Sequence, residues 1–200
     1  MSKDYPLSVG ITGGIGAGKT IISKVFSLLQ IPVYNADIRA KWLMQHNEPL
    51  KSEIIQTFGA GAYSSEGDIN RQFLATKIFA DKEQAKIINS MVHPVVREDY
   101  QSWLQVQNAP YVLKEAALLF ETGSYRELDK IIHVTAPEKI RISRVKNRDP
   151  QRDKQQIKQI IHQQLTDDVK NKWADFVIKN NDLELVIPQV LKIHGILNAS

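Results

Sequence analysis

The sequence predicts an α/β fold, a parallel five-stranded sheet flanked by helices, and three observations carry that prediction. Short apolar runs recur along the chain with long stretches of helical spacing between them. A glycine-rich loop joins the first run to a helical stretch. The segments separating the runs are long enough for the crossovers that parallel strands need.

Residues 7–12 form the first apolar run and residues 20–29 the helical stretch after the loop. A second short strand fits 31–34, and Asp37 stands just past its carboxyl end, where open parallel sheets bind ligands. From 40 to 106 the spacing is helical, with 59–67 as a loop and Pro94 punctuating the last part, which reads as a helical insertion. Apolar runs return at 111–113, 130–134 and 176–178 and supply three more strands. In 183–197 Pro188 is tolerable only in a first turn, so a final helix begins near it. The whole reads as one domain, 1–200, carrying the 40–106 insertion and a basic lid segment over about 144–165.

Composition narrows the classes. Hydrophobic residues make up 42% and charged residues 24% of 200 residues, ordinary globular usage rather than that of a disordered chain. There is no cysteine, which excludes disulfides, thiolate metal sites and cysteine nucleophiles. The opening MSKDYPLSVGITGG lacks the basic-then-apolar pattern of a signal peptide, and no run approaches the ~18 apolar residues of a membrane span. A soluble cytoplasmic protein is expected. The net charge of +4 comes from interspersed Lys and Arg and suits an anionic substrate as well as nucleic acid.

Gly13-Gly14-Ile15-Gly16-Ala17-Gly18-Lys19-Thr20 fits the GxxxxGK(S/T) phosphate loop, between a strand and a helix as the motif requires. Gly13, Gly16 and Gly18 are expected to take left-handed dihedrals that bring backbone N–H groups to phosphate oxygens. Lys19 should reach the β and γ phosphates, and Thr20 should offer its hydroxyl to a magnesium ion shared with the nucleotide. The loop alone only binds phosphate. The chain has no NKxD-type guanine motif and no apolar strand ending in Asp followed by xxG, which argues against a GTPase, and 200 residues leave little room for a motor. The layout is that of a small-molecule kinase.

Further segments, in order, resemble the dephospho-CoA kinase family. The opening 10–20 resembles the family's; Asn35-Ala36-Asp37 its (D/N)AD segment; Gly67-Asp68-Ile69-Asn70-Arg71 its GxIxR; and His93-Pro94 its HP pair. Leu118-Leu119-Phe120-Glu121 resembles its LLFE turn, Arg144 with Arg148-Asp149 its RxxxRD segment, and Ala174-Asp175-Phe176-Val177-Ile178 with Asn180 its late ADxxIxN strand. The resemblance implies a P-loop kinase fold and transfer of the γ-phosphoryl group of ATP to the ribose 3′-hydroxyl of dephospho-CoA. It also implies Mg²⁺ as the cofactor and no nucleic-acid or membrane partner.

The resemblance further implies roles. Gly14, Gly16, Ala17, Gly18, Lys19, Thr20, Ile21, Arg144 and Asn180 bind ATP, with Thr20 on the metal. Lys19, Asp37 and Arg148 are the catalytic set. Asp37 serves as general base, as an outer-sphere partner of Mg²⁺, or only as a cap of a helix starting at Ile38. Arg71 and His93 bind the acceptor, though a His-Pro at a helix junction also has a purely structural reading, and Asn180 has one as a turn residue. Lys146 and Arg152 read as a solvated basic face. Two departures stand out. Ile160 and Gln159 stand four before Gln164 and Gln163, where the family carries Arg, with Lys158 as a substitute, and Glu115-Ala116-Ala117 replaces the Pro before LLFE.

Overall fold

The computed structural model describes residues 5–199, except the side chains of 78–80 and 82. Five strands, β1 (Leu7–Thr12), β2 (Val33–Asn35), β3 (Tyr111–Glu115), β4 (Lys130–Thr135) and β5 (Phe176–Lys179), form one sheet in the order β2-β3-β1-β4-β5. Every neighbouring pair is parallel. The chain divides into two compact units, one reaching Asn35 and resuming at Gln107, the other Ala36–Val106.

The first unit holds the sheet. Its core joins Val9, Ile11, Leu113, Ile132, Val134 and Ile178 from the strands to two helices, α1 (Lys19–Leu28) through Ile22 and Phe26 and the last helix (Val186–Asn198) through Val190, Ile193 and Leu197. Phe26 meets Tyr111 edge to face at 6.3 Å. Pro188 is the third residue of the last helix, inside the first turn where its missing N–H costs nothing.

Two strand boundaries differ from the sequence reading. The second strand starts at Val33 rather than Ile31, because Gln30 takes a left-handed φ of 64° and the Ile31 N–H closes back on the Phe26 carbonyl. The third runs on through Lys114 and Glu115, both buried, where an apolar-run criterion stops at Leu113.

The second unit is helical: α2 (Ala36–His46), α3 (Glu48–Phe58), a 3-10 turn at Ala60–Ala62, α4 (Arg71–Ala80) and α5 (Lys82–Gln105). Side-chain caps set three starts: Asn47 accepts from the Leu50 N–H, Asn70 from Phe73 and Asp81 from Glu83. Arg39 of α2 grips Asp99 of α5 through two hydrogen bonds of 2.7 Å. Pro94 does not break the chain into two helices; it lies inside the 24-residue α5. Ile88 and Val92 before it and Val96 and Tyr100 after it are all buried. Burial of about 1.5–3 kcal/mol per large apolar side chain outweighs the roughly 3 kcal/mol a helical proline costs.

The remaining helices belong to the sheet unit: α6 (Glu138–Arg148), α7 (Lys154–Gln163) and α8 (Asp167–Trp173), which makes the last helix α9. No helix among the described residues is long and apolar enough to cross a membrane.

Candidate active site

The phosphate loop leaves β1 and enters α1. Gly16 has φ 77° and Gly18, the N-cap of α1, has φ 98°, a conformation that non-glycine residues rarely adopt. Gly13 corrects the expectation: its φ is not left-handed, and it is required by close approach, since a Cβ there would lie 2.3 Å from the Val134 carbonyl oxygen. No side chain caps α1, so its first N–H groups and positive end face the loop. Lys19 Nζ donates to the Gly13 carbonyl at 2.8 Å, closing the loop on itself.

Thr20 Oγ1 donates to Glu115 Oε1 at 2.7 Å. Glu115 is only 4% exposed and ends β3 directly beside Ile11 of β1, so the parallel register carries a carboxylate to the mouth of the phosphate loop. Sequence reasoning missed this role and treated Glu115 only as part of a replaced turn. A carboxylate closing an apolar strand that feeds the carboxyl edge of the sheet is the signal that finds it.

Helices α6 and α7 brace the loop from a second direction. Val145, Ile157 and Ile161 cluster with Ile15 and Ile142. Gln164 Oε1 accepts from the Ile15 N–H at 2.9 Å, and a Cβ on Gly14 would lie 2.0 Å from Arg141 Nη1. Arg141, 11% exposed, and Gln164 were not assigned roles from sequence; a contact across 149 positions leaves no trace in local spacing. Lys158 and Gln159 are exposed on α7. A cavity of about 590 Å³ lined by Thr135, Pro137, Arg141, Gln164, Leu165 and Asp167 adjoins this brace, and neither Lys19 nor Glu115 lines it.

Arg144 and Asn180 converge on the same loop. Asn180 Nδ2 donates to the Ala17 carbonyl at 2.8 Å, and Arg144 Nη2 donates to Asn180 Oδ1 at 3.2 Å and to Asp182 Oδ1 at 2.6 Å. Arg148, at the end of α6, is 64% exposed and forks onto its neighbour Asp149 at 2.9 and 3.0 Å. That hydrogen bond holds the Asp149 carboxyl below the usual range and raises the guanidinium. Ile21 is exposed on the first turn of α1.

Beneath the brace lies a buried polar network. Asp167 accepts from Thr135 Oγ1 and lies 3.7 Å from both Arg141 Nη1 and His133 Nε2. His133 is fully buried, its Nδ1 bonded to Asn171 Oδ1 at 2.8 Å; burial pushes its pKa below the usual 6.5. Glu121 of the LLFE turn pairs with the buried Lys170 at 2.8 Å and accepts from the Leu165 N–H at 3.0 Å, which fixes the entry to α8.

The other three sequence candidates belong to the helical unit. Asp37 is exposed in the first turn of α2; the helix starts at Ala36 rather than Ile38, because it follows directly on β2, so Asp37 is a residue of the helix and not its cap. Its charge suits the positive helix end. Arg71 is the exposed first residue of α4, behind its Asn70 cap. His93 is exposed in the middle of α5, not at a helix junction, since the helix continues through Pro94. Among the described residues no group of three or more His, Cys, Asp or Glu could hold a metal by itself.

A nucleotide loop on a sheet of this order occurs in many kinases, and comparison with known proteins narrows the choice. The sequence model of dephospho-CoA kinase matches residues 7–184. A dephospho-CoA kinase from Porphyromonas gingivalis is 33% identical over 187 residues, covering 94% of this chain and 92% of its own. A crystal structure from Thermus thermophilus superposes with a TM-score of 0.82 at 27% identity, covering 98% of this chain and 97% of that one. The dephospho-CoA kinase from Campylobacter jejuni does so with a TM-score of 0.71 at 25% identity, covering 96% and 97%. With the loop, the strand order and matches running nearly end to end, the chain belongs to the dephospho-CoA kinase family.

Proposed function

We propose that this protein transfers the γ-phosphoryl group of ATP to the ribose 3′-hydroxyl of dephospho-CoA, giving coenzyme A and ADP, the last step of coenzyme A synthesis. The observation that carries the reading is the family match over residues 7–184.

The chemistry asks for positioning and charge neutralisation more than for covalent catalysis. The N–H groups of Gly14, Gly16, Ala17, Gly18, Lys19, Thr20 and Ile21 line the phosphates at the amino end of α1. The Lys19 ammonium, on the same loop, neutralises the β and γ phosphates. Arg144 and Asn180 hold the rest of the nucleotide. Arg148 exchanges Asp149 for the transferring phosphoryl group, whose charge a guanidinium matches. Asp37 accepts the proton of the attacking hydroxyl, and Arg71 and His93 hold the acceptor, whose pyrophosphate suits a guanidinium.

Magnesium fits the residues present: Thr20 and Glu115, already joined at 2.7 Å, offer a hydroxyl and a carboxylate, the hard oxygen donors this ion takes alongside substrate phosphates. Bound with ATP, it would neutralise phosphate charge. We read the setting as cytoplasmic, in keeping with small, charged, water-borne substrates.

Comparing acceptors in an ADP-release assay tests the reading. Dephospho-CoA should support turnover well above adenosine or AMP, and Lys19→Ala should abolish it. Preference for another acceptor would keep the phosphoryl chemistry and reject the substrate.

A further inference from the structure

The segment after β5, Asn180 to Leu185, is a built loop rather than a loose connection. The Asn180 N–H donates to the Thr135 carbonyl at 2.8 Å, and Asn181 Oδ1 accepts from the N–H groups of Leu183 and Glu184 at 3.1 and 2.9 Å. Gln189 of α9 stitches the ends together, accepting from the Lys179 N–H and donating to the Lys179 and Leu185 carbonyls.

Inside this loop Asp182 has φ 62°, one of two non-glycine residues with positive φ among those described. Glycine takes this conformation without strain, and aspartate is among the few other residues that tolerate it. Among the described residues its side chain has one partner, Arg144 Nη2, at 2.6 Å. The other acceptors around Arg144, Asn180 Oδ1 at 3.2 Å and the Ala17 carbonyl at 3.5 Å, are neutral and longer. The short charge-assisted bond is the one that fixes the guanidinium. Asp182 is 65% exposed, so screening weakens its attraction and its effect is mainly one of geometry.

We propose that Asp182 is a positioning residue for nucleotide binding: its carboxylate, presented by a left-handed turn, holds the Arg144 guanidinium beside the Ala17 end of the phosphate loop before ATP arrives. The inference rests on the reading of Arg144 as an ATP-binding residue. Ordering one long side chain in advance removes that cost from binding, worth about two- to tenfold in affinity.

The test measures ATP affinity by calorimetry, which needs no acceptor, together with the KM values for ATP and dephospho-CoA. Asp182→Ala and Asp182→Gly should each weaken ATP about two- to tenfold, with kcat and the acceptor KM unchanged. Asp182→Asn, which keeps an acceptor oxygen, should fall between them and the unaltered protein. Asp182→Gly relieves the left-handed strain and should melt no lower than the parent, which separates positioning from misfolding. Arg144→Ala combined with Asp182→Ala should bind ATP no more weakly than Arg144→Ala alone. Unchanged or tighter ATP binding by Asp182→Ala while Arg144→Ala is impaired would overturn the role of Asp182 alone, as would additive losses. Unchanged ATP affinity in Arg144→Ala would overturn both this inference and the nucleotide role of Arg144.

Discussion

Glu115 and Thr20 share one hydrogen bond of 2.7 Å, and the proposed chemistry depends on both oxygens. Glu115→Gln keeps the shape and an acceptor but removes a buried negative charge, so the fold should persist while kcat falls about 10²–10³-fold, the scale of losing one stabilising group in a preorganised site. Steady-state kinetics beside a melting curve would check it; unchanged kcat would leave Glu115 with only a structural role. His133 makes a different demand. Burial is the main cause of its lowered pKa; Lys170 and Arg141 push the same way, while the Asn171 bond and Asp167 oppose them. The unfolded chain therefore takes up a proton near 6.5 that the folded chain resists, so the contribution is intact above that pH and is lost as pH falls toward the folded value. In melts at about pH 7.5 and about pH 5.5, His133→Gln should reduce the acid-induced drop in Tm by about 2–4 °C. An equal drop in both proteins would contradict the assignment.

Elements set what could be read in advance. The phosphate loop and its flanking strand and helix were legible because their determinants sit within fourteen positions, from Leu7 to Thr20. The end of β3 was not, because Lys114 and Glu115 look polar and are buried only through pairing with strands far away in sequence. Gln164 and Arg141 were equally hidden: Gln164 accepts from the Ile15 N–H and Arg141 packs close against Gly14, contacts across the chain that no periodicity announces. Pro94 misled in the opposite sense, since local propensity was overruled by packing along α5. Pro94→Ala restores an N–H donor toward the Ser90 carbonyl and should raise Tm by about 6–12 °C, the roughly 3 kcal/mol that a helical proline costs, for a chain of this size. A lower Tm would mean that the proline shapes the helix in a way its packing needs.

For the whole molecule, strand order, parallel pairing and the near end-to-end family match agree on one kind of enzyme. The net charge of +4 is consistent with two polyanionic substrates and does not itself select them. The identity of the bond made is read from the product. The protein should be incubated with ATP, magnesium and dephospho-CoA and the product examined by phosphorus NMR. A new phosphomonoester on the ribose 3′-oxygen is expected, formed in step with ADP and absent with Lys19→Ala. A phosphate on any other position, or ADP released without phosphorylated acceptor, would contradict it.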